Sequence, residues 1–149
     1  MTAGRLLLAA GGAMSLAASL VHLAAIAGGP RWFRWLGAGE RIARGVEMGH
    51  KAPIILTTGI AAALLVIALA AFAGAGLIRP IPFTRVVLIA ASALYLARGM
   101  ALFAPNLLRR PDLSPAFLVI SSGIVLVMGM AFALGTFLQW PHLSNQGNS

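Results

Sequence analysis

Of the 149 residues, 60% are hydrophobic and only 9% are charged, and the mean hydropathy is +0.92. Soluble domains carry about 25% charged residues, and so short a chain cannot bury this much apolar surface in water, so the composition excludes a water-soluble fold and makes lipid the solvent. The net charge of +8 does not mark a nucleic-acid binder, because the arginines gather at the ends of apolar runs rather than in a stripe interleaved with aromatics. Cysteine is absent, which excludes a thiolate nucleophile, a dithiol relay and any cysteine-ligated metal.

The first apolar run is Leu6–Gly28. Arg5, this run and the "AIAGG" of Ala25 to Gly29 imitate a cleavable signal. The run is about 23 residues long, beyond the usual signal core, and His22 interrupts it, so it is expected to remain as a span of about 20 residues. Gly11, Ser15 and Ser19 recur every four residues and His22 continues that face. Small residues at this spacing let helix backbones approach closely in lipid.

A polar stretch follows, "GGPRWFRWLGAGERIARGVEMGHKAP", residues 28 to 53. Trp32, Trp35, Arg34, Arg41 and Arg44 belong at the headgroup layer, where an indole is half wet and a guanidinium meets phosphate. "GERIARGVEMG" predicts a short amphipathic helix with Glu40 in its first turn, where a carboxylate suits the helix dipole.

Three more spans are expected, over Ile54–Ile78, Val86–Ala104 and Ala116–Trp140. All eight prolines fall at the ends of these runs or between them, where a missing N–H costs least. Gly123, Gly129 and Gly135 thin the last run. The tail from His142 to Ser149 reads as disordered. The fold class is therefore all-α: one four-transmembrane-helix domain over residues 1–149, with an interfacial helix in the first loop. Arg5, Arg79 and Arg85 lie on one side of the membrane; Arg31, Arg34, Arg41, Arg44, Lys51, Arg109 and Arg110 lie on the other. The richer side is expected in the cytoplasm, which puts loops 1 and 3 inside.

The candidate site is a polar layer beneath loop 1. Arg98 sits about six residues, or roughly 9 Å, below the expected end of the third span. His22 lies at a similar depth, and Thr57, Tyr95 and Ser122 fall in the same layer, with Glu40 and Glu47 the acids near enough to pair with Arg98. An ionisable side chain at this depth costs about 2–3 kcal/mol, which makes it a functional candidate. Two outcomes are expected: an Arg98–Glu40 clasp, or a pocket in which Arg98 faces an acidic amphiphile. No His and acid pair has metal-ligand spacing, and no cofactor or catalytic constellation is read.

"HLAAIAGGPRWFRWLGAGERIAR" (His22 to Arg44) and "YLARG" (Tyr95 to Gly99) resemble an uncharacterised family of small bacterial four-helix membrane proteins. That resemblance implies a multi-pass protein of the inner (plasma) membrane and no particular activity. "ERIARGVEMGHKAP" is loosely similar to the membrane-associated eicosanoid and glutathione metabolism enzymes, through Glu40, Arg41, Arg44, Glu47 and Pro53. It lacks their Asn and has shorter spacing. The functional expectation is an accessory or small-amphiphile-binding membrane subunit, alone, as a homo-oligomer or with a partner membrane protein. The alternatives are a glutathione-dependent transferase, as the second resemblance implies, and an oligomeric transporter or channel.

Overall fold

The structure is a computed structural model, and it describes residues 1–100, 103 and 115–146. Every regular element among them is a helix: α1 (Ala3–Gly28), α2 (Pro30–Trp35), α3 (Glu40–Glu47), α4 (Lys51–Gly74), α5 (Thr84–Met100), α6 (Pro115–Leu138) and α7 (Trp140–Gln146). Three helices, Ala3–Gly28, Lys51–Gly74 and Ala116–Leu138, are long and apolar enough to cross a membrane. The fourth long helix, α5, has 17 residues. α1 packs on α4 and α6, and α5 packs on α6 and α4, so the four long helices close into a ring of neighbours.

Helix ends follow from local chemistry. α2, α3 and α4 stop at glycines in the left-handed region, Gly37, Gly49 and Gly76, at φ 73, 74 and 69°. The next residue in each case, Ala38, His50 or Leu77, turns its N–H back to a carbonyl five residues earlier, the capping motif that glycine adopts without strain. This ends α4 at Gly74, short of the expected Ile78. The same helix starts at Lys51, earlier than the expected Ile54, because Pro53 fits the first turn, where an N–H has no helical partner. The expected end of the third run at Ala104 lies outside the described residues.

Two expectations need correction. The first loop holds two short helices, α2 and α3, rather than one. Pro30 starts α2 and Gly37 stops it, so the aromatic piece forms a turn and a half of its own. The tail is not wholly disordered either: α7 runs to Gln146. Leu143 is 2% exposed and joins the main core, while the Arg85 guanidinium lies 4.3 Å from the centre of the Trp140 ring. One buried leucine and one stacked ring anchor a segment that is otherwise polar apart from Pro141.

The main core is built from Leu8, Ala70, Ala71, Leu88, Ala91, Tyr95, Met128 and Phe132, among others. Small residues set its spacing. The expected stripe on α1 does face inward: Gly11 lies against the Phe132 ring, Ser15 Oγ is 3.1 Å from Tyr95 Oη, and Ser19 donates to the Ala61 carbonyl at 2.8 Å. Between α5 and α6 the backbones nearly touch. A Cβ on Gly99 would stand 2.6 Å from Leu126 Cα, and one on Gly129 would stand 2.8 Å from the Leu96 nitrogen. This is packing by close approach, which replaces the hydrophobic driving force that lipid removes.

Candidate functional site

α2 and α3 lie across the end of the bundle from which α1 leaves and α4 begins. α3 is amphipathic. Ala43 is fully buried, and Ile42 and Val46 pack beside it, while Arg41, Arg44 and Glu47 are exposed. From α2 the buried Phe33 turns inward to meet Ala25 of α1 and Ala43 of α3. Trp32 and Trp35 point outward, 43 and 76% exposed, their rings edge to face at 6.1 Å. The apolar side of the two helices thus forms a satellite core over the bundle.

Above this core lies an ion-pair network. Arg34 grips Glu40 with two nitrogens, Nε to Oε2 at 2.9 Å and Nη2 to Oε1 at 3.2 Å, and its Nη1 reaches Glu47 Oε1 at 2.9 Å. Arg44 Nε completes the set on Glu40 Oε1 at 2.9 Å. The hydrogen bonds from Arg34, then Arg44, hold the Glu40 carboxyl well below its ordinary range, at about 2. Arg34 likewise lowers Glu47, and the two acids raise Arg34. These side chains are 36–69% exposed, so water screens the attraction and the network adds little to global stability.

The acids are therefore taken, and the expected Arg98–Glu40 clasp does not form. Arg98 Nη1 donates instead to Ser122 Oγ at 2.8 Å, across the α5–α6 contact. Depth placed Arg98 beneath loop 1 and within reach of Glu40, but its azimuth on α5 turns it to α6.

Beneath α2 and α3 is a cavity of about 330 Å³. Phe33, Leu36, Gly37, Ala38 and Ile42 roof it; Val21, His22 and Ala25 of α1 and Pro53, Leu56, Thr57 and Ile60 of α4 form its walls. Val21, Leu56 and Ile60 are 42, 57 and 40% exposed, so the cavity opens between α1 and α4 on the outer face of the bundle. His22 and Thr57 are its polar side chains. His22 Nδ1 lies 2.7 Å from the Ala18 carbonyl, and Thr57 Oγ1 donates to the Pro53 carbonyl at 2.8 Å.

The predicted polar layer thus divides. His22 and Thr57 meet at the cavity. Tyr95 goes to the bundle centre, bonded to Ser15 and edge to face with Phe132 at 5.4 Å. Arg98 and Ser122 pair between α5 and α6. Glu40 and Glu47, with Arg44, lie in the surface network, so of the residues behind the glutathione-enzyme resemblance only Pro53 lines the cavity. Sequence reasoning missed the apolar lining, above all Phe33, which stands between two outward tryptophans. The signal was spacing: on one short helix, Phe33 falls opposite Trp32 and Trp35. No family model, curated protein or solved structure matches this chain.

Proposed function

We propose that this is a small multi-pass protein of a bacterial inner membrane that binds a small amphiphile beneath its first loop, as an accessory or ligand-binding subunit rather than an enzyme. In this reading α5 is the fourth span. Its 17 residues cover about 25 Å at 1.5 Å each, slightly less than the hydrocarbon thickness. Loops 1 and 3 face the cytoplasm, where the lysine and arginine excess lies. Trp32, Trp35 and Arg31 frame a hollow at the outer side of α2, suited to the headgroup layer.

The observation that carries the reading is the roofed cavity. Its volume is at the small end of ligand sites, its walls are mostly apolar, and it holds two polar side chains, the pattern of a small-molecule site. Its mouth opens sideways between spans, so a molecule dissolved in the bilayer reaches it without crossing water.

Photocrosslinking tests this. A long-chain alcohol carrying a tail diazirine, added to proteoliposomes and irradiated, should label Val21, Phe33, Leu36 and Ile42. Leu56→Trp, which narrows the mouth from a half-exposed position, should reduce that labelling severalfold. Labelling spread evenly over outward residues such as Leu94 and Ile120 would show ordinary lipid contact and end the proposal.

A further inference from the structure

The cavity also specifies the head of its ligand. We infer that the occupant carries a hydrogen-bond donor, a hydroxyl group on an apolar chain or ring, which the Nε2 of His22 accepts. This rests on the cavity being a binding site.

The inference follows from where the hydrogens go. A carbonyl only accepts, so the 2.7 Å contact with Ala18 places the His22 proton on Nδ1. With that hydrogen on Nδ1, Nε2 is the ring nitrogen left for a ligand, and in the neutral form of the ring it carries the lone pair. No other hydrogen bond of His22 is made among the described residues. Thr57 spends its one hydrogen on the Pro53 carbonyl and keeps only lone pairs. In the roof, the N–H groups of Leu36, Gly37 and Ala38 bond to Trp32, Arg34 and Phe33 carbonyls. The polar side chains of the cavity therefore offer acceptors, and its lining contains no Lys or Arg.

Against His22 and Thr57 a carboxylate or ester head would set acceptor against acceptor, which is costly in an apolar space, and would have to turn to the first-turn N–H groups of α3 instead. A hydroxyl satisfies His22 and has lone pairs to spare. The acidic amphiphile expected from the sequence depended on Arg98, which the α5–α6 contact removes from the cavity. The geometry selects a neutral head instead.

Three probes of one chain length separate the possibilities: 1-dodecanol, which donates; 1-methoxydodecane, which only accepts; and dodecanoate, an anion. Each is titrated into the full chain in nanodiscs at matched mole fraction. Methyl NMR signals of Ile42 and Ile60 report occupancy, and the imidazole ¹⁵N signals of His22 report the hydrogen bond. Dodecanol should bind about fivefold more tightly than the ether, the yield of one net hydrogen bond. It alone should move the Nε2 signal. His22→Phe should abolish the ratio while the ether still binds, and the wild-type ¹⁵N signal carries the same test without a variant.

Equal binding of alcohol and ether with no Nε2 shift would overturn the donor inference and leave the cavity reading standing. Tighter binding of dodecanoate would overturn it in favour of an imidazolium or the first-turn N–H groups of α3 as the anion's partner. If no probe moves the Ile42 and Ile60 methyls, the cavity reading fails, and this inference with it.

Discussion

The two ends of the bundle use arginine differently. Where α1 begins and α4 ends, Arg5 donates through Nε to the Ala75 carbonyl at 2.6 Å and through Nη2 to Gly76 at 3.3 Å. Arg85 stacks on Trp140 and bonds Ser144. There the cations bind one element to another and satisfy carbonyls that a helix end leaves free. At the other end, every ion pair among the described residues joins two residues of the stretch 34–47. That network ties the roof to itself. Apolar contacts attach the roof to the bundle, among them those of Phe33 and Ala43 with Ala25 and of Gly37 with the Phe117 ring. One end is stapled by arginine to neighbouring elements, and the other is roofed by a segment whose ion pairs are internal and whose contacts with the bundle include apolar ones, which is how a cavity can be both shaped and accessible.

The comparison is sharpest if the ends lie on opposite sides of a membrane. In this cysteine-free chain, Phe83→Cys at one end and Arg41→Cys at the other give single reporters at exposed positions. A membrane-impermeant maleimide on spheroplasts should label the first at once and the second only after the membrane is opened. The opposite pattern would reverse the topology, and labelling of both would mean that the ends are not separated.

Attachment strength is the next test. Phe132→Ala empties the main core and should cost about 3–5 kcal/mol of global stability, read as thermal unfolding in detergent. Phe33→Ala removes an equally large buried ring, but from the roof contact. It should act locally, raising hydrogen exchange across residues 40–47 with a smaller fall in Tm. Equal falls in Tm would show that roof and bundle unfold as one unit. Arg5→Met should cost about 2 kcal/mol, the range for hydrogen bonds from a charged donor, because it strands carbonyls at the end of α4. Arg44→Met, at a 69% exposed side chain, should change Tm far less.

How much of this was legible in the sequence depends on the kind of signal. Apolar runs of sufficient length place α1, α4 and α6, and glycines mark the ends of α3, because they act through the local backbone; α2, six residues long, was not among the expected helices. Pairing was not legible. Arg98 lies beneath Glu40 and within reach of it by depth, but depth fixes only one coordinate, and the direction in which Arg98 leaves α5 depends on how α5 and α6 pack at Gly99. The tail failed for a related reason: Leu143 is a single apolar residue among polar ones, and only the bundle supplies the hole it fills. A pocket under the loop was one of two expected outcomes, with Tyr95, Arg98 and Ser122 in its lining; the lining found instead follows from Phe33 turning inward, which needs the start of α2 at Pro30.

The smallest effect lies in the network itself. The hydrogen bonds from Arg34 and Arg44 depress the folded-state value of Glu40 from its ordinary 4.5 to about 2. A carboxyl depressed on folding contributes stability that is complete above its unfolded value and is lost as pH falls through its folded one. The window therefore runs from about 4.5 down to about 2, and neutral pH lies on its flat, fully stabilised side. In ¹³C-carboxyl NMR, Glu40 should titrate with a midpoint near 2, and Arg34→Leu should return it most of the way to the ordinary range, with Arg44 keeping the remainder. Because the pairs are exposed, raising salt should lift the wild-type midpoint as well. Hydrogen exchange in residues 40–47 should rise across the same pH window, while the protection of α1 and α6 stays level. A wild-type midpoint near 4.5 would mean that the network does not form in solution, and the roof would then owe its shape to its backbone turns and the packing around Phe33 and Ala43.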